Sequence, residues 1–266
     1  MDTRRSDSSG ALTLGRRPRA DRARQVADLI RRELLDDGFG EGMLPDERDL
    51  CRQFGASRNA IRDALDLLRQ EGLIERLPGV GTTVVGRKVS HDLHRLMGLA
   101  EVLHEHGTVV NQVRTAGLVR PPAAVARRLE LTGDSEVVYI ERLRSLNGVP
   151  LSLDLTYVTA PIGIPLLDAD LQRQDIFRLL EQISGRRLGN ADLAMEAVNA
   201  DPHSAAVLAV PRGGALLMVE RLTHFDDGTP VDLEYIRFRG DRLTMRASTH
   251  RAVTVAGIDT GGRVDP

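Results

Sequence analysis

The sequence predicts an α+β chain in two parts, a small helical N-terminal part closed by a hairpin and a larger part built on a mostly antiparallel sheet. Three observations carry this. Residues 22–72 hold three stretches of helical apolar spacing separated by glycine-bearing turns. Two short extended runs follow at once, joined by Pro78-Gly79-Val80-Gly81. Beyond residue 93, a pattern of strand, Asn/Asp-Gly turn and strand occurs twice. A length of 266 residues suits two domains at roughly 100–200 residues each.

The elements follow in order. Residues 1–19 mix Ser, Asp, Gly and Arg without periodicity and read as a flexible basic arm. Val26, Leu29, Ile30 and Leu34 then give an amphipathic helix to about Leu35. Asp46 is a suitable N-cap for a short helix from Glu47 to Phe54, with Asp49 at the positive end of its dipole. Gly55-Ala56-Ser57 makes the turn, and Ser57 caps a third helix whose Ile61, Ala64, Leu65 and Leu68 form one buried stripe. Gly72 ends it, and Leu73–Leu77 and Thr82–Val85 form the hairpin. Three helices and a glycine-tipped hairpin make a winged helix-turn-helix over residues 20–86.

A linker is expected over 87–92, then a helix marked by Leu93, Leu96, Met97, Ala100 and Leu103. Another helix is expected at Ile176, Leu179, Leu180 and Ile183. Glu141-Arg142-Leu143 with Gly148-Val149-Pro150 returns as Glu220-Arg221-Leu222 with Gly228-Thr229-Pro230. Each copy has the local signature of a β-hairpin, so residues 93–250 read as a pseudo-symmetric α+β domain. Residues 251–266 read as a flexible tail.

Composition excludes several functions. No apolar run approaches the roughly 18 residues that span a bilayer, and the first 20 residues lack an apolar core for a secretory signal, so a cytoplasmic protein without a membrane partner is expected. Cys51 is the single cysteine, which removes a disulfide framework and any zinc site on paired thiolates; it reads as a core residue. Lys88 is the single lysine and sits in a polar stretch, which argues against Schiff-base chemistry. His91 and His94 lie three apart with no acidic or histidine partners to complete a metal site. No Gly-rich phosphate loop or nucleophile elbow is present; no cofactor, metal or catalytic residue is expected. Residues 1–88 carry 17 basic and 15 acidic side chains, so nucleic-acid binding has to be argued from position rather than net charge.

Position supplies the argument. On the helix after Ser57, the face opposite the apolar stripe begins with Arg58, Asn59 and Arg62. A recognition helix reads the major groove with its N-terminal residues. Arginine pairs bidentately with guanine, and Asn59 can do so with adenine. Ser57 and Arg48 are better placed for phosphates, which orient without reading sequence.

Pro45-Asp46-Glu47-Arg48-Asp49-Leu50, Phe54-Gly55-Ala56-Ser57-Arg58, Ile61-Arg62-Asp63-Ala64-Leu65, Glu71-Gly72-Leu73-Ile74 and Gly79-Val80-Gly81-Thr82 closely resemble the DNA-binding domain of GntR-family bacterial regulators. The resemblance covers about 65 residues. It implies operator contacts by Arg48, Ser57, Arg58, Asn59 and Arg62, with Gly79 at the wing tip near the minor groove. Asn59-Ala60 and the wing's Pro78 and Val80 depart from the usual residues, which bears on base preference and on wing contacts. The repeat, Arg142-Leu143-Arg144 and Arg239-Gly240-Asp241-Arg242 resemble the UTRA effector domain of the HutC subfamily, similar in fold to chorismate lyase. That resemblance implies a homodimeric regulator, more often repressor than activator, that responds to a small molecule.

The residues themselves indicate a polar pocket. Val138, Ile140, Arg142 and Arg144 share one strand face, Ser152, Asp154 and Thr156 another, and Asp232, Glu234 and Phe238 a third. Buried arginines need anionic partners, either a ligand or a carboxylate of the protein. The effector set expected is Arg142, Arg144, Asp154, Asp175, Asp232 and Phe238. The hydroxyl residues that hold phosphate in the family's sugar-phosphate sensors correspond here to Met97-Gly98 and Asp175, which disfavours a phosphosugar. Two rivals remain at this stage: a metabolite-processing enzyme with a lyase-like second domain, and a DNA-binding protein with no effector.

Overall fold

The computed structural model describes residues 19–36, 38–39, 42–85 and 88–249. The expected arm, apart from Arg19, and the expected tail lie outside the described residues.

Helix α1 (Arg19–Leu35) leads into α2 (Glu47–Phe54) and α3 (Arg58–Gln70). Both caps expected from the sequence form: Asp46 accepts from the Asp49 amide at 2.8 Å, and Ser57 from the Ala60 amide at 3.3 Å. Strands β1 (Ile74–Leu77) and β2 (Gly81–Val84) pair antiparallel as the wing. Val26, Ile30, Leu50, Ile61, Leu65 and Leu68 close one core, against which Cys51 packs partly buried.

The next segment departs from expectation. Strand β3 (Val89–Asp92) occupies the expected linker and pairs in parallel with β10 (Leu243–Arg246). Val89 and His91 alternate inward, which turns these residues into part of the C-terminal domain. The expected helix from Leu93 is reduced to α4 (Leu99–Leu103), because Gly98 is extended and caps it.

The remaining strands form one six-stranded sheet. Strand β4 (Val109–Val119), α5 (Ala123–Arg128), β5 (Val137–Leu146) and β6 (Val149–Thr159) make the first copy of a repeat. After α6 (Ala160–Leu166) and α7 (Ile176–Ser184), a second copy follows as β7 (Leu188–Asn199), α8 (Pro202–Leu208), β8 (Ala215–Phe225) and β9 (Pro230–Arg239). The order β4-β5-β6-β9-β8-β7 sets the two copies back to back across the β6–β9 pair, all antiparallel. Helices α5 and α8 pack one face of the sheet through Val125, Leu129, Ala205 and Leu208. Helices α4 and α7 cover the other through Leu99, Leu103, Ile176 and Leu180.

The two parts touch. Arg246 on β10 donates to Asp36 just beyond α1 at 2.7 Å. Lys88, half-buried, lies near Glu71 and Asp241, and its burial lowers its affinity for a proton.

Candidate functional site

In the N-terminal domain, α2 and α3 meet at the left-handed Gly55, so the start of α3 projects beside the wing. Arg48, Ser57, Arg58, Asn59, Arg62 and Gly79 are all exposed. Arg48, Arg58 and Arg62 line one cleft of about 530 Å³, together with Thr82 and Val80 of the wing. Arg76 on β1 joins them there. Sequence reasoning missed it, although its register opposite Thr82 follows from the hairpin turn. Glu47 holds Arg62 at 2.8 Å in an exposed ion pair, a contact easily exchanged for a phosphate or a base edge. Four guanidinium groups around the first turns of a capped helix make an electropositive, hydrogen-bond-donating surface.

In the C-terminal domain, the alternation of β5, β6, β8 and β9 brings charged side chains together on the sheet face beneath α4 and α7. Arg142 and Asp154 are cross-strand neighbours in the first copy, and Arg221 and Glu234 occupy the same places in the second. Arg142, Asp154, Asp232 and Glu234 are each 1 % exposed or less. Arg144 donates to Asp154 at 2.8 Å, Arg142 lies 4.0 Å from the same carboxylate, and Ser152 donates to its other oxygen at 2.6 Å. Burial opposes ionisation of Asp154, but Arg144 and Arg142 outweigh it and lower its pKa. Burial and the Glu234 carboxylate push Asp232 well above the ordinary carboxylate range. Burial, then the neighbouring Arg144, lowers Arg142. Arg221 also feels burial against it, yet Glu234 and Asp232 prevail and raise it; its guanidinium lies 4.3 Å over the Phe177 ring.

The pairing partner expected either from a ligand or from the protein is thus in part internal: Asp154 serves both Arg142 and Arg144. It does not satisfy them. Nε and Nη2 of Arg142, and Nε and Nη1 of Arg144, make no hydrogen bond to the protein despite their burial. Buried donors left unmatched are costly, so these four nitrogens call for acceptors beyond the ones Asp154 supplies.

Asp175 stands apart from this layer. It caps α7 by accepting from the Phe177 amide at 2.9 Å, and its second oxygen accepts from the Ala100 amide at the start of α4 at 3.3 Å. The carboxylate therefore occupies the positive ends of two helices at once. A Cβ at Gly98 would lie 2.1 Å from its Oδ1, so only glycine fits beside it. Phe238 lines a different cavity, of about 260 Å³, with His91, Leu99, Val219, Arg221 and Ile236. Asp175 lines a shallower cleft with Glu101 and Arg178. The sequence marked His91 only as half of an incomplete metal pair, and its buried place was not legible there because the burial of β3 depends on a strand 154 positions away. Among the described residues, no three His, Cys, Asp or Glu side chains are grouped to hold a metal ion. No helix among them is long and apolar enough to cross a membrane.

A winged helix with an exposed arginine cleft, joined to a domain whose sheet buries unsatisfied donors, defines a DNA-binding regulator with a sensor domain. Comparison with known proteins agrees. Residues 22–84 match the model for bacterial regulatory proteins of the gntR family, and residues 104–244 match the UTRA domain, over half the chain. The HTH-type transcriptional repressor NagR of Bacillus subtilis is 28% identical over 83% of this chain and 91% of its own length. The histidine utilization repressor of Pseudomonas putida is 31% identical over 68% and 72%. The crystal structure of PhnF from Mycobacterium smegmatis, 22% identical, shares the fold with a TM-score of 0.62 over 85% of this chain and 99% of that one. The chain belongs to the GntR family of regulators, in its HutC-type branch with a UTRA domain. It is a ligand-responsive transcriptional regulator and not an enzyme.

Proposed function

We propose that this regulator is a cytoplasmic homodimeric repressor, released from a near-palindromic operator when a small molecule other than a phosphosugar enters the C-terminal domain. Arg58, Asn59 and Arg62 read bases, while Arg48, Ser57 and the backbone at Gly79 hold phosphates and the minor groove. Arg76 adds a phosphate contact from the wing. The effector meets Arg142, Arg144, Asp154, Asp232 and Phe238, with Asp175 at the rim.

The observation that carries the reading is the set of four buried guanidinium nitrogens that make no hydrogen bond to the protein. Arg239, by contrast, donates through both Nε and Nη2 to Asp241. Asp175 supports the choice of ligand, since its carboxylate already sits at the two helix N-termini that would attract a phosphate. A dimer is supported by β7, a 12-residue edge strand whose Leu193 and Met195 are exposed. Long unpaired edges are templates for pairing with another chain. One winged helix reads few base pairs, and a two-fold dimer doubles the site.

Operator footprinting with a metabolite panel tests the reading. Release by a neutral or carboxylated metabolite, lost in Arg144→Ala, is the expected result. Release by a hexosamine phosphate would overturn the ligand assignment. No ligand-dependent change in operator affinity would return the protein to an effector-independent binder.

A further inference from the structure

The turn that precedes the recognition helix is held from outside, by α1. Arg22, at the end of the first turn of α1, sends Nη2 to two consecutive carbonyls, those of Phe54 at 3.1 Å and Gly55 at 3.0 Å. Its Nη1 donates to Gln25 Oε1 at 2.6 Å, one turn further along α1, which fixes the fork in place. Phe54 ends α2, and Gly55 follows it in the left-handed region. The amides of Gly55 and Ala56 both return to the Cys51 carbonyl, and the Phe54 and Gly55 carbonyls are left to Arg22. A guanidinium there also meets the negative end of the α2 dipole.

Only Ala56 and Ser57 separate this clamp from Arg58. Ser57 accepts from the Ala60 amide through its side chain at 3.3 Å and from the Ile61 amide through its carbonyl at 3.0 Å, so α3 opens directly off the clamped turn. The body of α3 is fixed separately, because Ile61, Leu65 and Leu68 share a core with Val26 and Ile30 of α1. Helix α1 therefore holds the reading helix at two places, along its apolar stripe and at its N-terminal approach. The second hold differs from the first. The bond to the Gly55 carbonyl is exposed, so water can take over as donor at little cost to folding. Water cannot supply the rigid link. A bidentate arginine–base contact needs two donors in range at once, and a turn that must be ordered on the DNA subtracts its ordering entropy from binding.

We propose that Arg22 is a positioning residue for operator recognition, setting the approach of α3 so that its side chains reach base edges together, without itself touching DNA. The proposal rests on the reading of Arg58, Asn59 and Arg62 as the base-contacting set. Arg22 differs in kind from the arginines of the exposed cleft, since both its terminal nitrogens are already engaged by the protein.

The test uses the full chain and a duplex that the unaltered protein selects from a random library, with poly(dI-dC) as non-specific DNA. Arg22→Met keeps the stem and removes the donors. Fluorescence anisotropy should show its discrimination between the two DNAs falling about tenfold per half-site, comparable to the loss of one base contact. The salt slope should stay as in the unaltered chain. Arg22→Lys, which keeps the charge and can serve one carbonyl, should fall between the two. In an Arg58→Ala background the same Arg22→Met change should cost less than about threefold, because the contact it positions is already gone. Without DNA, amide exchange at Ala60 and Ile61 should quicken about tenfold. Should Arg22→Met not fold, Arg22→Lys decides, with a loss of about threefold expected. A salt slope lowered by about one would make Arg22 a phosphate contact and overturn the proposal. A lowered melting temperature with discrimination intact would make it a plain structural tie and overturn it equally. If Arg58→Ala loses discrimination and Arg22→Met does not, the base-reading assignment stands and this proposal alone falls; if Arg58→Ala loses none, both fall.

Discussion

The two halves of this regulator use the same side chain in opposite surroundings. Arg48, Arg58, Arg62 and Arg76 stand in an exposed cleft where water solvates each charge until a partner arrives. Arg142, Arg144 and Arg221 lie under helices, where each charge must be matched or lose much of its hydration. Specificity on the first surface is added by the partner. On the second it is set by what the protein has already paired and what it has left open. An exposed arginine informs about DNA, and a buried one about the shape of a missing acceptor.

The largest test of that contrast is Asp154→Ala. Removing the carboxylate that serves Arg142 and Arg144 should cost about 3–5 kcal/mol in urea denaturation, because two buried charges lose their counterion. Glu47→Ala, which frees exposed Arg62, should cost at most about 1 kcal/mol in the same assay. Equal effects would break the comparison. On the DNA side, Arg58→Ala and Arg62→Ala should each lose about 1–3 kcal/mol of discrimination between operator and a mismatched site. Arg48→Ala and Arg76→Ala should instead weaken all sequences alike and reduce the salt slope by about one.

Smaller effects sharpen the sensor half. Gly98→Ala must push the Asp175 carboxylate from both helix ends, which should cost about 1 kcal/mol, the value of a lost cap. Adding Asp175→Ser should relieve much of that loss, as seen in paired melting curves. The pH response has a defined sign as well. His91 has a folded pKa below its unfolded 6.5, so the unfolded chain binds more protons and stability falls as pH drops below about 6.5. His94 shifts the opposite way, held up by Asp92, and adds stability below that pH that is lost above it. His91→Gln should therefore lose the acid-side decline and retain the gain from His94, as read from denaturation midpoints at pH 7.0 and 5.5. A variant that still declines like the wild type would show that His91 is not buried neutral.

Much of the DNA-binding half was legible because its signals are local. Asp46, Ser57 and Gly55 state where helices begin and turn within a few residues, and the apolar stripe of α3 names its own buried face. The polar sheet face was legible for a related reason: alternation alone puts Arg142 and Arg144 beside Ile140. What escaped depends on distant partners. Residues 89–92 look like a linker until β10 is beside them, and His91 gains its buried place only through that pairing. The cavity before Arg221 was equally hidden, since it exists because α4 starts late, at Leu99, and leaves Leu93–Met97 to line it. Asp175 was read as a ligand contact from the family pattern, whereas its hydrogen bonds go to helix amides.

The parallel pairing of β3 with β10 bears on the order in which the chain acquires its parts. Its partners are 154 positions apart, whereas the wing pairs residues only a few positions apart. Loops of that length close slowly, because the entropy of closure comes before any contact rewards it. A ribosome therefore releases a winged helix able to fold, and to meet DNA, long before the strand that links it to the sensor has been made. Nascent copies of this regulator would complete their DNA-reading helices first, and gain the β7 edge and the strand that ties those helices to the sensor only later.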